Sequence, residues 1–328
     1  MTKFVVRRLL LILIALLLVN FLGFAYAHYA KPLRAAQTPY QRVEEATPVL
    51  PAYKAYLGMV FNLDFSSEVA VPGSARTGPV AMGKIIWSAT KASAGLLGIV
   101  LLISGILGFI LGLMAVRNNP PAVRRWLTWV STIGLAMPSF YIGSLLIFGL
   151  VFYVIRRGAG TQMPLPIDGF GWNLHLVLPT IALIIRPTVQ LAQTTAGLLS
   201  SELDKQYVVA ARSIGHSWRD IRNRYAMRNT LAPIFLMMAG LIRLIIGDMI
   251  LVEWLFRWPG LGRLLGWTLV PPDLSNAAGA PLFLNPAVLA TVLTIIAALF
   301  LFTDFIAAVL VRIFDPRLRT PESEGSNV

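Results

Sequence analysis

Long apolar runs alternate with short polar segments along most of this chain. Residues 9–27 form the first run, broken by one amide, Asn20, and preceded by Arg7-Arg8. Residues 28–91 are mixed, with Pro, Gly, Ser and both signs of charge. Further apolar runs cover residues 92–116, 126–155, 174–199, 231–252 and 286–311, and the tail 312–328 is polar. Runs of about 20 residues match the helix length needed to cross a hydrocarbon layer about 30 Å thick. The pattern predicts an all-α integral membrane protein with six transmembrane helices. The predicted divisions are a first span at 1–27, an extramembrane segment at 28–91, a five-helix core at 92–311 containing a polar loop at 200–230, and the tail. Glycines 95, 98, 105, 108 and 112 recur near helical spacing in the second run, which predicts a face of close helix contact. Pro138 breaks the third run, and Pro179 and Arg186-Pro187 lie inside the fourth.

Composition agrees with this reading. The 328 residues are 56% hydrophobic and 13% charged, and the mean hydropathy is +0.70. A soluble domain carries about 25% charge. Ala25-Tyr26-Ala27 imitates a signal-peptidase site, but the run before it is longer than the about 7–15 residues of a signal peptide core, so an uncleaved span is expected. With no cysteine in the chain, disulfides, thiolate metal sites and a cysteine nucleophile are excluded.

Net charge is +13. Most of the short-loop basic residues lie near the N-terminus, in the 117–125 turn, in the 200–230 loop and in the tail. The other short loops hold Arg156, Arg157, Arg257 and Arg263. The 28–91 segment also carries Lys31, Arg34, Arg42, Lys54, Arg76, Lys84 and Lys91, but long segments cross largely regardless of charge. The bias predicts both termini and the basic loop on the cytoplasmic side. Lipid head groups and topology account for the positive charge, and no nucleic-acid partner is expected.

In the 200–230 loop, Ile214, Trp218, Ile221, Tyr225 and Ala226 recur at three- and four-residue steps around Arg219, Arg222, Arg224 and Arg228. Such a helix has an apolar stripe and a cationic face. The pattern alone leaves two readings, a helix lying on anionic membrane lipid or one seated in a partner's groove. The spacing decides between them by resemblance. Ala210-Ala211, Gly215 and Pro233 resemble the cytoplasmic "EAA" loop of ABC importer permeases, with Val209 in place of that motif's Glu. Gly215 would turn the chain between two short helices, since glycine tolerates positive φ.

Other segments carry the same resemblance, towards the dipeptide/oligopeptide/nickel group. They are Val252-Glu253 through Trp258-Pro-Gly-Leu-Gly262, the Met137-Pro138-Ser139-Phe140 kink, His175 to Pro179, and Asp304 followed by Asp315-Pro-Arg317. The chain departs from the group at Gln193 and Ala196, where basic residues are common, and in a longer 271–285 loop. The resemblance implies the type I ABC importer permease fold in a prokaryotic plasma membrane. It implies a second homologous permease, two ATPase subunits and an extracytoplasmic solute-binding protein. ATP and Mg²⁺ would belong to the ATPases, with no cofactor, metal or catalytic residue in this chain. No Walker-type loop is present. Peptides are the leading substrate class, ahead of nickel chelates, glutathione-like thiols and opines. Ala210, Ala211, Gly215, Trp218, Arg219, Arg222 and Pro233 are the expected coupling residues.

Pro138, Ser139, Arg186, Arg243, Asp248 and Glu253 are the pathway or gate candidates. Charges inside a membrane are costly and face the bundle interior or water. Two readings stay open for them. Asp248 would meet a substrate amine and Arg186 or Arg243 a carboxylate, or the three set helix packing through ion pairs. Asp304 is expected to be structural. Glu253 is expected to tie its loop to Arg257 or Arg263, and the tryptophans of that loop to sit at the membrane interface. An ATP-independent channel or secondary transporter is the rival class; it predicts inverted internal repeats, which the sequence does not display.

Overall fold

The computed structural model describes residues 2–35, 48–69, 78–158, 161–270 and 282–314. The Asp315-Pro-Arg317 ending and most of the 271–285 loop lie outside them. In chain order the elements are α1 (Thr2–Ala35), α2 (Val49–Phe61), β1 (Glu68–Val69), β2 (Val80–Ala81), α3 (Met82–Met114), β3 (Val116–Asn118), β4 (Pro121–Val123), α4 (Arg125–Ala136) and α5 (Ser139–Arg157). There follow α6 (Val177–Leu203), entered through a 3-10 turn (Leu174–Leu176), then α7 (Gln206–Ser213), α8 (Trp218–Asp220), a π-helical turn (Ile221–Ala226), α9 (Met227–Leu255), α10 (Leu261–Leu269) and α11 (Pro286–Phe314). The strands form two short antiparallel ladders, β1 with β2 and β3 with β4. Among the described residues, six helical stretches are long and apolar enough to cross a membrane: Lys3–Pro32, Met82–Met114, Ser139–Arg157, Leu174–Leu203, Trp218–Leu255 and Pro286–Arg312.

Several boundaries differ from expectation. α3 begins ten residues before the predicted start, because residues 82–91 continue the helix beyond the apolar run and anchor it through the Met82 and Gly83 N–H groups, which donate to Ser67 O and Phe65 O. The third run is two helices. Pro138, with extended backbone, separates α4 from α5, since proline disfavours helix at the residue before it. The 200–230 segment is largely helical. From Trp218 the chain runs without interruption into the fifth span, so Pro233 sits inside that helix rather than at its start.

α3, α6 and α9 form the centre. Gly108 and Gly112 let α3 approach α6: a Cβ at Gly108 would lie 2.8 Å from Leu191 Cβ, and one at Gly112 2.6 Å from Thr195 Cβ. The glycine face is narrower than expected, because Gly95 meets Trp172, Gly105 meets Met238, and Gly98 faces open space. Three large apolar clusters stand out among the described residues. One, around Leu96, Val252, Phe256 and Trp258, joins α3, α6 and α9. A second, around Met82, Leu264 and Leu289, joins α3, α10 and α11. A third, around Val116, Leu203, Val208, Ile221 and Ala226, gathers the β3–β4 turn and the α6–α9 connection at one end. α1 packs on α11 at the edge of the bundle. Its outward leucines, such as Leu13 and Leu18, are more than half exposed, as a lipid-facing surface requires.

Candidate functional site: a helical turn and an intramembrane ion pair

The α6–α9 connection is built around a carboxylate that sequence reasoning missed. Glu202, buried at the end of α6, accepts from Tyr207 (3.1 Å) on α7 and Asn229 Nδ2 (2.8 Å) on α9. Lys205 pairs with the same carboxylate at 2.5 Å. Burial, with the nearby carboxylate, pushes the Tyr207 phenol up to about 12, so it stays a donor at any ordinary pH. The signal was available: Glu202 is an acidic residue at the end of an apolar run, opposite a basic segment. The anchor fixes the two stems of the turn.

The tip projects from those stems. Gly215 closes it at φ +94°, a conformation that favours glycine, as its N–H donates to Arg212 O and the His216 N–H to Ala211 O. Ser217 caps the next helix, accepting from Asp220 N at 3.1 Å. The Arg212 guanidinium lies over the Trp218 ring, 5.1 Å from its centroid. Ala210 and Arg219 are exposed, while Ala211, Trp218, Arg222 and Pro233 are half-buried. The predicted apolar stripe is split. Ile221 and Ala226 are buried, because the π-helical turn, with its i→i+5 hydrogen bonds, puts residues five apart on one face. Ile214 is 76% exposed and Val209 69% exposed. The turn therefore grips the bundle with one set of apolar residues and displays another.

The intramembrane charges fall into two pairs. Arg186 on α6 reaches Asp248 on α9, with Nη1 2.9 Å from Oδ1 and 2.8 Å from Oδ2. Ser139, first residue of α5 after the Pro138 break, donates to Asp248 Oδ2 at 2.6 Å. The structure thus joins four of the predicted pathway residues at one junction of three helices. Both charged side chains are partly exposed, 24% for Arg186 and 19% for Asp248, and Arg186 Nε is buried with no partner among the described residues. Arg243 lies elsewhere, paired with Asp304 of α11 at 2.5 Å.

Glu253 corrects an expectation. It is fully buried and touches neither Arg257 nor Arg263. Ser93 Oγ of α3 donates to Oε1 (2.6 Å), and the Gly262 N–H donates to Oε2 (2.7 Å). Ser93 in turn accepts from Leu261 N at 2.8 Å. Arg257 pairs instead with Asp168 at 3.0 Å, and Arg263 donates to Arg257 O. The reason is packing: a Cβ at Gly260 would lie 2.2 Å from Glu253 Oε1, and one at Gly262 2.5 Å from Ile250 Cα. Only glycines bring the turn close enough for its backbone to bond the carboxylate. Trp258 of the same turn packs inward. It is fully buried, donates to Ala92 O at 3.2 Å, and meets Phe170 and Trp172 edge-on.

The model of one family, described as "binding-protein-dependent transport system inner membrane component", matches residues 104–320. Among curated proteins, the dipeptide transport system permease protein DppB of Lactococcus lactis subsp. cremoris is 24% identical, over 97% of this chain and 100% of its own length. The oligopeptide transport system permease protein AppB of Bacillus subtilis is 25% identical over 97% of this chain and 99% of its own. A putative peptide transport system permease protein of Brucella abortus is 27% identical over 65% of this chain and 64% of its own. The family match covers more than half of the chain and takes in α4 to α11, with the helical turn, the ion pair and Glu253. The chain therefore belongs to the inner membrane components of binding-protein-dependent transport systems, as the permease subunit of an ABC transporter working with a solute-binding protein and an ATPase.

Proposed function

We propose that this chain forms half of the translocation pathway of an ATP-driven importer for peptides. A second homologous permease completes the pathway. Two ATPase subunits bind ATP and Mg²⁺, and a solute-binding protein delivers substrate from outside. The peptide assignment is supported by the names of the curated relatives. The basic turn, both termini and the tail face the cytoplasm, as the distribution of Lys and Arg favours.

One observation carries the coupling role. The Gly215 turn is anchored on both stems by Glu202 yet exposes Val209 and Ile214. A rigidly held tip with uncovered apolar residues among arginines suits a groove of mixed apolar and acidic character. ATP-driven closure of the ATPases would pull the tip, and α6 and α9 would carry the movement into the bundle. Those two helices also hold Arg186 and Asp248, so the pull acts on the intramembrane pair. In this reading the pair, with Ser139 at the Pro138 break, lines the path. Its two charges match the terminal carboxylate and amine of a peptide, which would compete with the pair. Glu253 holds the α9–α10 turn against α3 and so braces the outer end.

Because the chain lacks cysteine, Ile214→Cys gives a single attachment point. In the assembled complex, a photoactivatable cross-linker on this thiol should capture the ATPase subunit. Capture of lipid alone would overturn the coupling role and favour the surface-lying helix.

A further inference from the structure

Between α1 and α3 lies a helix whose position the transport function does not explain. α2 spans 13 residues, about 20 Å at 1.5 Å per residue, too short to cross a bilayer. It is held against α1 and α11 by a polar cluster. Asn20 Nδ2 donates to Tyr56 Oη (3.0 Å) and to Thr294 Oγ1 (2.9 Å), and Tyr53 Oη donates to Asn20 Oδ1 at 3.0 Å. Tyr56 also bonds Thr291 at 3.0 Å. The Tyr53 and Tyr56 rings pack on Phe24, with centroids 5.4 and 5.2 Å away.

The depth of this cluster follows from α1. The apolar run 9–27 is centred on residue 18, so Asn20 lies about 3 Å from its midpoint and Phe24 about 9 Å, at 1.5 Å per residue. Tilt shortens both distances along the membrane normal. The hydrocarbon half-thickness is about 15 Å. Tyr53 and Tyr56 therefore reach into the hydrocarbon, and the α2 backbone sits beside the outer turns of the apolar run.

The face of α2 turned away from the bundle is also apolar. Leu50 is 67% exposed and Phe61 78% exposed; eleven residues apart, they share one helix face, with exposed Lys54 between them. Just past the helix, Leu63 is 79% exposed and adopts φ +54°, a C-terminal position usually taken by glycine.

We infer that residues 49–63 are seated in the membrane leaflet at the C-terminal end of α1, with Leu50, Phe61 and Leu63 among lipid acyl chains and Lys54 reaching the head groups. The occupant of this face is lipid because Tyr53 and Tyr56 dock α2 on Asn20 and Phe24, a part of α1 that its apolar run sets within the hydrocarbon. The assignment rests on the span of α1 and is independent of the substrate. It places part of the 28–91 segment within the membrane rather than wholly outside it.

The test uses the assembled transporter in nanodiscs of phosphatidylethanolamine and phosphatidylglycerol. Spin labels are attached singly at Leu50→Cys, Phe61→Cys and Leu63→Cys. Leu13→Cys serves as the lipid-facing reference and Asn119→Cys as the aqueous one. Seating in the leaflet predicts collision with oxygen severalfold above collision with a water-soluble nickel chelate at all three positions, as at Leu13. Chelate access at the level of Asn119 would overturn the inference by placing the face in water. Low access to both reagents would overturn it too, by showing a protein partner on this face.

Discussion

Two glycines of the α9–α10 turn have opposite surroundings from a third glycine in α3, and the contrast makes a sharp prediction. A Cβ at Gly262 meets Ile250 backbone at 2.5 Å, whereas one at Gly98 meets nothing within 4 Å. Gly262→Ala should push the turn off α9, break the Gly262 N–H bond to Glu253, and cost about 1–3 kcal/mol as overpacking does. Gly98→Ala should be within about 0.5 kcal/mol of neutral. Thermal denaturation of the purified complex distinguishes them; equal melting temperatures would refute the close packing. Glu253 itself was legible as a residue that matters, but not for its partners. Its arginine neighbours in sequence suggested an ion pair, while the bonds come from a serine 160 positions away and a backbone amide. Long-range backbone geometry of this kind leaves no trace in local spacing.

At the scale of elements, α5, α6 and α9 meet at Ser139, Arg186 and Asp248, and this junction is where a substrate role differs from a packing role. Asp248→Asn leaves Arg186 without its counter-charge. If the pair meets peptide termini, this change should depress uptake of peptides with a free amino terminus several-fold more than uptake of N-acetylated ones, with assembly intact. Equal depression of both, with a lowered melting temperature, would assign the pair to helix packing. The sequence displayed these residues because charges in apolar runs are conspicuous. It did not pair them, since Arg186 and Asp248 lie 62 positions apart. Helix existence was similarly plain from run length, whereas boundaries were not. The π-helical turn at Ile221–Ala226 shifts the apolar phase by a residue, so the stripe expected at 3.6-residue spacing divides into buried and exposed halves.

For the whole molecule, orientation and coupling are the two claims that matter. The proposed cytoplasmic placement of the basic turns predicts that Ser217→Cys reacts with a membrane-impermeant maleimide only from the cytoplasmic face, and Glu68→Cys only from outside. Reaction of both from one face would overturn the six-span arrangement. The most direct test of the central claim compares two substitutions at the tip of the turn. A side chain at Gly215 meets no neighbour, so its effect comes through φ +94° alone. A β-branched residue is a strained outlier there, while asparagine visits positive φ more readily. Complexes carrying Gly215→Val, Gly215→Asn or the unaltered chain are reconstituted with their ATPase and binding protein, and ATP-driven uptake of a labelled peptide is measured. The account predicts normal assembly for all three, uptake largely retained with asparagine, and uptake lost with valine. Full uptake by the Gly215→Val complex would contradict it.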